Sequence, residues 1–152
     1  MASTSKKETL ICLINEASAD YVIRNMKHTN LKELFITIEN GKYIGIDNTT
    51  NDAWTEEFQT YSECLEYLLK DKEVPISLAT VVSCSKVNKN GIFVNVEFID
   101  KGEKCIVKNE FLSFPLGMVI EIKGFLKTPS MTFARDERGN HIPIQHLTRV
   151  PI

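Results

Sequence analysis

The chain lacks the short motifs that identify common catalytic and nucleotide-binding sites. It contains no GxSxG, GxGxxG, HExxH or phosphate-binding P-loop sequence. It has three histidines, and its adjacent Glu56 and Glu57 lie on an expected strand. Neighbouring side chains on a strand point to opposite faces, so these two carboxylates cannot act as an acid–base pair. We therefore predict a protein that is not an enzyme and needs no cofactor.

Closely spaced cysteines and long apolar runs are also missing. The four cysteines contain no CxxC pair and each lies among apolar residues, at Cys12, Cys64, Cys84 and Cys105. This favours buried free thiols in a reducing compartment over a disulfide framework. No segment approaches the roughly 20 apolar residues that span a bilayer, and the polar first ten residues do not resemble a signal peptide. We expect a cytoplasmic protein with no membrane partner.

Metal ligands are present, but their spacing is wrong for a metal site. A calcium loop beginning at Asp47 would need glycine at its sixth position and glutamate at its twelfth, where the chain has Asp52 and Phe58. His141 and His146 have no closely spaced cysteine pair to complete a zinc site. We expect no metal, and we expect the Asn and Asp side chains of the 47–52 loop to stabilise turns.

The two halves of the chain carry opposite net charge. Residues 1–75 contain 8 Lys/Arg and 13 Asp/Glu, a net of −5, whereas residues 76–152 contain 10 and 7, a net of +3. This asymmetry favours an anionic partner for the second half only.

The first half predicts an α-β-β-β-α module over residues 1–74. Apolar residues at helical spacing predict a helix over 5–27, capped by Ser5 and Glu8, with a short strand over 9–14 as the alternative for its start. Three strands follow, and Asn40-Gly41 predicts a two-residue hairpin turn between the first two. Thr60 and Glu63 then predict the capped start of a second helix that runs to about residue 72.

The second half predicts strands alone. The expected strands are joined by turns, and their ranges are 77–87, 92–99, 104–108, 118–127 and 142–150. Five strands in about 75 residues, with no central helix, suit a small closed barrel. We predict an α+β protein in which a hinge at Val74-Pro75 joins the acidic module to a five-stranded antiparallel barrel over residues 76–152.

Two segments of the second half carry a family resemblance. Residues 116–128 contain a glycine, an alternating apolar strand and a Gly-x-Leu ending, and residues 136–140 form a charged turn with a glycine. Together they resemble the fourth and fifth strands of OB-fold domains, particularly single-stranded-DNA-binding proteins, although SH3-like barrels share the pattern. The resemblance implies an OB-like barrel that binds single-stranded nucleic acid. In the first half, residues 41–50 and 53–58, followed by the helix capped at Thr60, resemble small uncharacterised proteins of phages and mobile elements, and the chain as a whole looks like such a protein.

Binding of single strands requires a basic surface with aromatic faces on which bases stack. If Ile92 and Val94 face the core, Phe93 faces outward, which makes it the leading stacking residue. The predicted nucleic-acid-binding residues are Phe93, Lys86, Lys89, Lys108, Phe125, Lys127, Phe133, Arg135 and Arg138. The alternative is that Phe93 is covered by a loop or by the first module and that the lysines are ordinary solvated surface.

The acidic first half predicts a different function. Four of its carboxylates are expected to form a surface that binds a basic protein, as an inhibitor from a phage or mobile element would: Asp52, Glu56, Glu57 and Glu63. The alternative is a solvated acidic face without a partner. Tyr43 and Trp54 are expected in the core or between the modules, and a third possible role of the barrel is homo-oligomerisation. Single-stranded nucleic acid is the leading partner, and a protein is the alternative.

Overall fold

A computed structural model of the chain describes residues 9–75, 79–94 and 99–151. Within these ranges the strands are β1 (Thr9–Ile14), β2 (Leu34–Glu39), β3 (Lys42–Asp47), β4 (Trp54–Phe58), β5 (Ala79–Asn88), β6 (Gly91–Val94), β7 (Lys104–Val107), β8 (Val119–Glu121), β9 (Gly124–Lys127), β10 (Thr132–Arg135), β11 (His141–Pro143) and β12 (Leu147–Arg149). The helices are α1 (Glu16–Arg24) and α2 (Tyr61–Leu69), and 3₁₀ turns lie at Thr29–Leu31 and Ile144–His146. No helix in the described ranges has the length and apolar character needed to cross a membrane.

A six-stranded sheet with the order β4-β3-β2-β1-β5-β6 forms the centre of the fold. β1 is parallel to both β2 and β5, while β2-β3-β4 and β5-β6 are antiparallel. Residues 11–14 of β1 are at most 1% exposed. Such a continuous apolar run is typical of a parallel strand that is covered on both faces.

The predicted helix over 5–27 is wrong. Thr9–Ile14 is a strand, which was the alternative, and α1 begins only at Glu16. Asn15 is its N-cap, since the Asn15 side chain accepts a hydrogen bond of 2.8 Å from the Ser18 N–H. The predicted cap at Ser5 and Glu8 lies outside the described residues. The short apolar run in β1 satisfies helical spacing as well as a buried strand does, so periodicity could not separate the two.

The two helices cover opposite faces of the central sheet. Ile11 and Leu13 of β1 pack in the core on the α2 side, and Cys12 and Ile14 pack in the core on the α1 side. Two crossovers connect parallel strands of this sheet: α1 connects β1 to β2, and α2 connects β4 to β5. They lie on opposite faces of the sheet and cross the strand order in opposite directions. The two crossovers therefore have the same hand, as expected for parallel strands of one sheet.

The predicted five-stranded barrel over 76–152 is wrong. β5 and β6 belong to the central sheet, and the remaining strands form two open three-stranded sheets, β12-β7-β8 and β11-β10-β9. The two small sheets pack around a third core that includes Cys105, Phe114, Ile120 and Ile142. The central sheet thus contains strands from both sides of Pro75.

Breaks within two expected strands explain why the barrel does not form. In the 118–127 segment the Ile122 N–H bonds to the Glu103 carbonyl, whereas the next N–H, from Lys123, bonds to the Arg135 carbonyl. The chain therefore passes from one small sheet to the other at this point. The expected strand over 142–150 is interrupted by the 3₁₀ turn at Ile144–His146. In the sequence, Lys123 and Gly124 mark the position of the first break. Nothing in the sequence shows that the segments on either side of it join different sheets.

β7 packs against two cores at once. Its Ile106 lies in the core on the α2 side of the central sheet, together with the half-buried Leu116 and Val150. The neighbouring Cys105 and Val107 point the other way, into the third core. The β12-β7-β8 sheet is consequently a layer shared by both parts of the molecule.

Two local predictions are confirmed. Asn40 and Gly41 have φ values of 52° and 75°, the positive values that a type I′ turn requires at both central residues. Thr60 is the N-cap of α2, because its hydroxyl accepts a bond of 3.2 Å from the Glu63 N–H and donates one of 2.9 Å to the Glu63 carboxylate.

Gly117 is held at a close contact between the two parts of the molecule. Its φ is +86°, and a Cβ there would lie 2.3 Å from Cβ of Tyr61. Its carbonyl accepts a hydrogen bond of 3.0 Å from the Tyr43 hydroxyl. Tyr43 therefore lies between the two halves, as expected from the sequence.

We predict that Gly117→Ala is much more destabilising than Gly139→Ala. Gly139 has a similar φ of +82°, but no atom lies within 4 Å of the position that a Cβ would occupy, so its alanine variant should lose only about 1 kcal/mol through the left-handed backbone. Gly117→Ala should lose about 1–3 kcal/mol more, because the backbones must separate. Urea denaturation of both variants measures the difference, and equal losses would contradict this account.

Candidate binding surfaces

The described residues contain no group of three or more His, Cys, Asp or Glu side chains arranged to hold a metal ion. Cys84 and Cys105 are buried in different cores and do not meet. The 47–52 loop uses its polar groups internally: the Asp47 carboxylate accepts bonds from the Thr49 N–H at 3.0 Å and from the Thr49 hydroxyl at 2.6 Å. The turn chemistry expected for this loop is confirmed.

Asn48 is a buried polar residue whose importance the sequence did not reveal. Its side chain is fully buried and donates to the carbonyls of Met26 at 2.9 Å and Leu31 at 2.7 Å. Its Oδ1 accepts a bond of 3.1 Å from the Ala53 N–H. The amide thereby fixes the chain on both sides of β2 and β3, including the residue immediately before β4.

A cleft of about 440 Å³ lies at the carboxyl end of β1 and the start of α1. Ligands often bind at this position in open α/β sheets. Here the lining is mostly apolar, and Asn15 and Glu16 are its polar side chains. Asn15 caps α1, so Glu16 supplies the one ionisable side chain among the lining residues that the structure describes.

The most exposed large aromatic side chain in the described residues belongs to Trp54, on an outer strand of the central sheet. β4 pairs with β3 and is the last strand of the order on that side. Trp54 is 62% exposed, and Glu56 and Glu57 beside it are also exposed. We call Asp52, Trp54, Glu56 and Glu57 the acidic edge. The expectation that Trp54 is covered by the core or by the second half is wrong.

The position of α2 explains the exposure of Trp54. Trp54, Glu56 and Phe58 alternate onto one face of β4, which is the face on the α2 side. Phe58 is half-buried there, with its ring centroid 5.3 Å from that of Tyr67 on α2. Trp54 is at the other end of the strand, where α2 does not cover it.

The charges around the acidic edge are only partly neutralised within the chain. Glu57 forms an exposed ion pair of 3.2 Å with Lys42, and Asp52 accepts a 2.8 Å bond from the Thr50 hydroxyl. Glu63 is engaged by Thr60 at the start of α2, beyond the opposite end of β4. Glu56 forms no ion pair with any residue that the structure describes. The edge therefore keeps a net negative charge.

Asp47 does not add an available charge to this surface. Partial burial raises its pKa, but the bonds from Lys72 and Thr49 outweigh burial, so that the pKa lies below its ordinary value. Its carboxylate is paired with the Lys72 ammonium at 2.8 Å. The carboxylate opposite Trp54 is thus ionised and already compensated.

The predicted nucleic-acid-binding residues are scattered over the molecule. The side chains of Phe93 and Lys86 lie outside the described part of the structure. Lys89 is exposed in the β5-β6 turn of the central sheet, and Lys108 is half-buried after β7. The elements next to these two lysines and the β9-β10 hairpin belong to three different sheets.

Four of the predicted residues do lie together on the β9-β10 hairpin, and we call them the hairpin residues: Phe125, Lys127, Phe133 and Arg135. The strand register sets Phe125 opposite Ala134 and Lys127 opposite Thr132 on one face. It sets Phe133 opposite the 48% exposed Leu126, with Arg135 on that same outer face. The two aromatic side chains therefore point to opposite sides. Alternation predicted neither this split nor the exposure of Leu126.

Arg138 is exposed, but its guanidinium is engaged by neighbouring groups of the same chain. Its Nε donates to the buried Asp136 carboxylate at 2.8 Å, and its guanidinium lies 5.1 Å from the centre of the Phe114 ring. Asp136 also accepts bonds from the N–H groups of Arg138 at 3.0 Å and Asn140 at 2.8 Å. Burial raises the pKa of Asp136, and these bonds more than offset that effect, so its pKa lies below the ordinary value. The Asp136–Arg138 pair builds the β10-β11 turn.

Comparison with models of known protein families gave no match, and comparison with curated protein sequences gave none either.

We predict that Asp136→Asn destabilises the protein at neutral pH and that the difference disappears in acid. Its folded-state pKa is depressed, so its contribution is complete above the ordinary value near 4 and is lost as pH falls through the folded-state pKa. The loss at pH 7 should be about 2 kcal/mol, as for a buried charge-assisted bond. Guanidinium denaturation at pH 7 and at about pH 3 measures it. The exposed Asp71 provides the control, Asp71→Asn, and a pH-independent difference for Asp136→Asn would contradict the prediction.

Proposed function

We propose that this chain is a non-catalytic binding protein that binds a basic surface of another protein through its acidic edge. The observation that carries the proposal is the 62% exposed Trp54 on a strand whose outer side has no neighbouring strand in the described ranges. Tryptophan is enriched among the residues that dominate binding energy at protein interfaces.

The charge of the edge supports a basic partner. Glu56 and Glu57 are exposed on opposite faces of the strand, and Asp52 is exposed two residues before its first residue. Complementary charge accelerates association and rejects wrong partners more than it adds affinity. The same carboxylates repel phosphate groups, so this surface does not suit nucleic acid.

A second candidate is binding of single-stranded nucleic acid by the hairpin residues. The observation in its favour is that Phe133, Arg135 and the exposed Leu126 share the outer face of β9-β10, with Lys127 at the hairpin's end. It ranks second because the barrel from which it was inferred is absent. Moreover, Arg135 already donates a 3.2 Å bond to the Lys123 carbonyl.

For the proposed function we predict that Trp54→Ala releases a protein partner. The tagged full chain is used to capture proteins from a nuclease-treated lysate of the organism that encodes it, and affinity for the recovered partner is then measured. Loss of a tryptophan at the centre of an interface should weaken binding by at least about 30-fold. Glu56→Lys should weaken it as well, through reversed charge.

Leu112→Ala is the matched control, since it removes another exposed apolar side chain, 90% accessible, from the connection between β7 and β8. Its partner affinity should equal that of the unmodified chain. The proposal fails if the recovered partner binds Trp54→Ala and Glu56→Lys as tightly as it binds the unmodified chain.

For the second candidate we predict that labelled single-stranded DNA binds at low salt and that Lys127→Ala with Arg135→Ala weakens it. Loss of two phosphate contacts should also flatten the dependence of log K on log salt by about 1.4 for a single strand. Fluorescence anisotropy at two salt concentrations measures both quantities. Absence of binding at low salt would eliminate this candidate.

A further inference from the structure

The register of the first hairpin determines which backbone groups of β4 are unpaired. A two-residue turn at Asn40-Gly41 makes Glu39 and Lys42 a hydrogen-bonded pair. Hydrogen-bonded pairs alternate along an antiparallel ladder, so every second residue of β3 from Lys42 bonds to β2. The intervening residues, Tyr43, Gly45 and Asp47, therefore direct their N–H and C=O groups towards β4.

The partners of those three residues in β4 are Phe58, Glu56 and Trp54. Their backbone groups are used by β3. The N–H and C=O groups of Thr55 and Glu57 consequently point away from β3, to the side on which β4 has no neighbour in the described sheet. Two donors and two acceptors are presented there in the spacing of a strand ladder.

From this we infer that β4 binds an extended basic segment of the partner as an added strand of the central sheet. This inference rests on the proposed function and names the way in which the acidic edge holds its partner. Backbone hydrogen bonds supply affinity in such complexes, and alternate side chains supply specificity.

A second copy of this chain does not fit the same position well. The antiparallel register that pairs all five residues of one β4 with another sets Glu56 directly opposite Glu56 of the second copy. Like charges directly opposite each other on adjacent strands are destabilising. Charged residues on an outer strand are a common means of preventing self-association.

A strand with basic residues would instead place opposite charges next to the carboxylates of β4. Lysine or arginine placed opposite Glu56 would lie on the α2 side, where Glu56 forms no ion pair with a described residue. A cation opposite Glu57 would lie on the other face, near the exposed Lys42–Glu57 pair. An apolar residue opposite Trp54 would cover part of its indole ring. The expected segment thus has two adjacent basic residues and one apolar residue, separated from them by the single residue that lies opposite Thr55.

The test is an NMR titration in which a short synthetic peptide of valine, threonine and two adjacent lysines is added to the full chain. We expect the amide signals of Thr55 and Glu57 to shift most, and we expect the peptide with two glutamates in place of the lysines not to bind. Thr55→Pro removes one outward N–H and should therefore weaken binding at least tenfold. The variant should still fold, because proline is tolerated at an outward position of an outer strand. Thr55→Val, which keeps the N–H, should bind like the unmodified chain.

N-methylated peptides keep the test independent of the folding of any variant. Methylation of amides that face β4 should abolish binding, whereas methylation of the alternate amides should have little effect. Absence of peptide binding, or binding that neither Thr55→Pro nor either methylation pattern changes, would overturn strand addition. In that case the loss of the captured partner in Trp54→Ala would still support the proposed function. A captured partner that is insensitive to Trp54→Ala would instead refute the proposed function itself.

Discussion

The parallel pairing of β1 with β2 on one side and β5 on the other is the constraint on which the rest of the fold depends. Ile11 is set against Leu34 in one pairing and against Val81 in the other. Because parallel neighbours require crossovers, α1 and α2 must lie on the faces of the sheet. The two helices cover opposite faces of β1, and β4 is left at the end of the sheet, with no further strand beside it among the residues that the structure describes.

Features governed by local chemistry could be predicted from the sequence. Asn40-Gly41 forms its turn because these residues tolerate positive φ, and Thr60 and Glu63 cap α2 through bonds made within one turn of helix. Features governed by distant partners could not. Residues 9–14 fit a helical pattern, and only the pairing with residues 79–83 makes them a central strand.

In the candidate surfaces, too, local features could be predicted from the sequence and features that depend on distant partners could not. Glu56 and Glu57 were predicted to be exposed, because charged residues on an outer strand stay solvated. Trp54 was expected to be covered, since nothing in its neighbourhood shows that α2 ends before reaching it. On the β9-β10 hairpin, composition identified basic and aromatic residues, but the faces on which they lie depend on the register with β10. The barrel prediction failed because strand count and spacing do not determine which strands become neighbours.

The double role of β7 has a consequence for how the chain is made. Ile106 and Val150 belong to the core beneath α2, so the central sheet cannot finish burying its α2 face until residue 150 has been synthesised. Folding then depends on contacts between distant parts of the chain, which form slowly. During that interval the unfinished sheet exposes both apolar residues and strand edges, and such species are prone to aggregate. Charged side chains on an outer strand oppose edge-to-edge association, and Glu56 and Glu57 are exposed on β4.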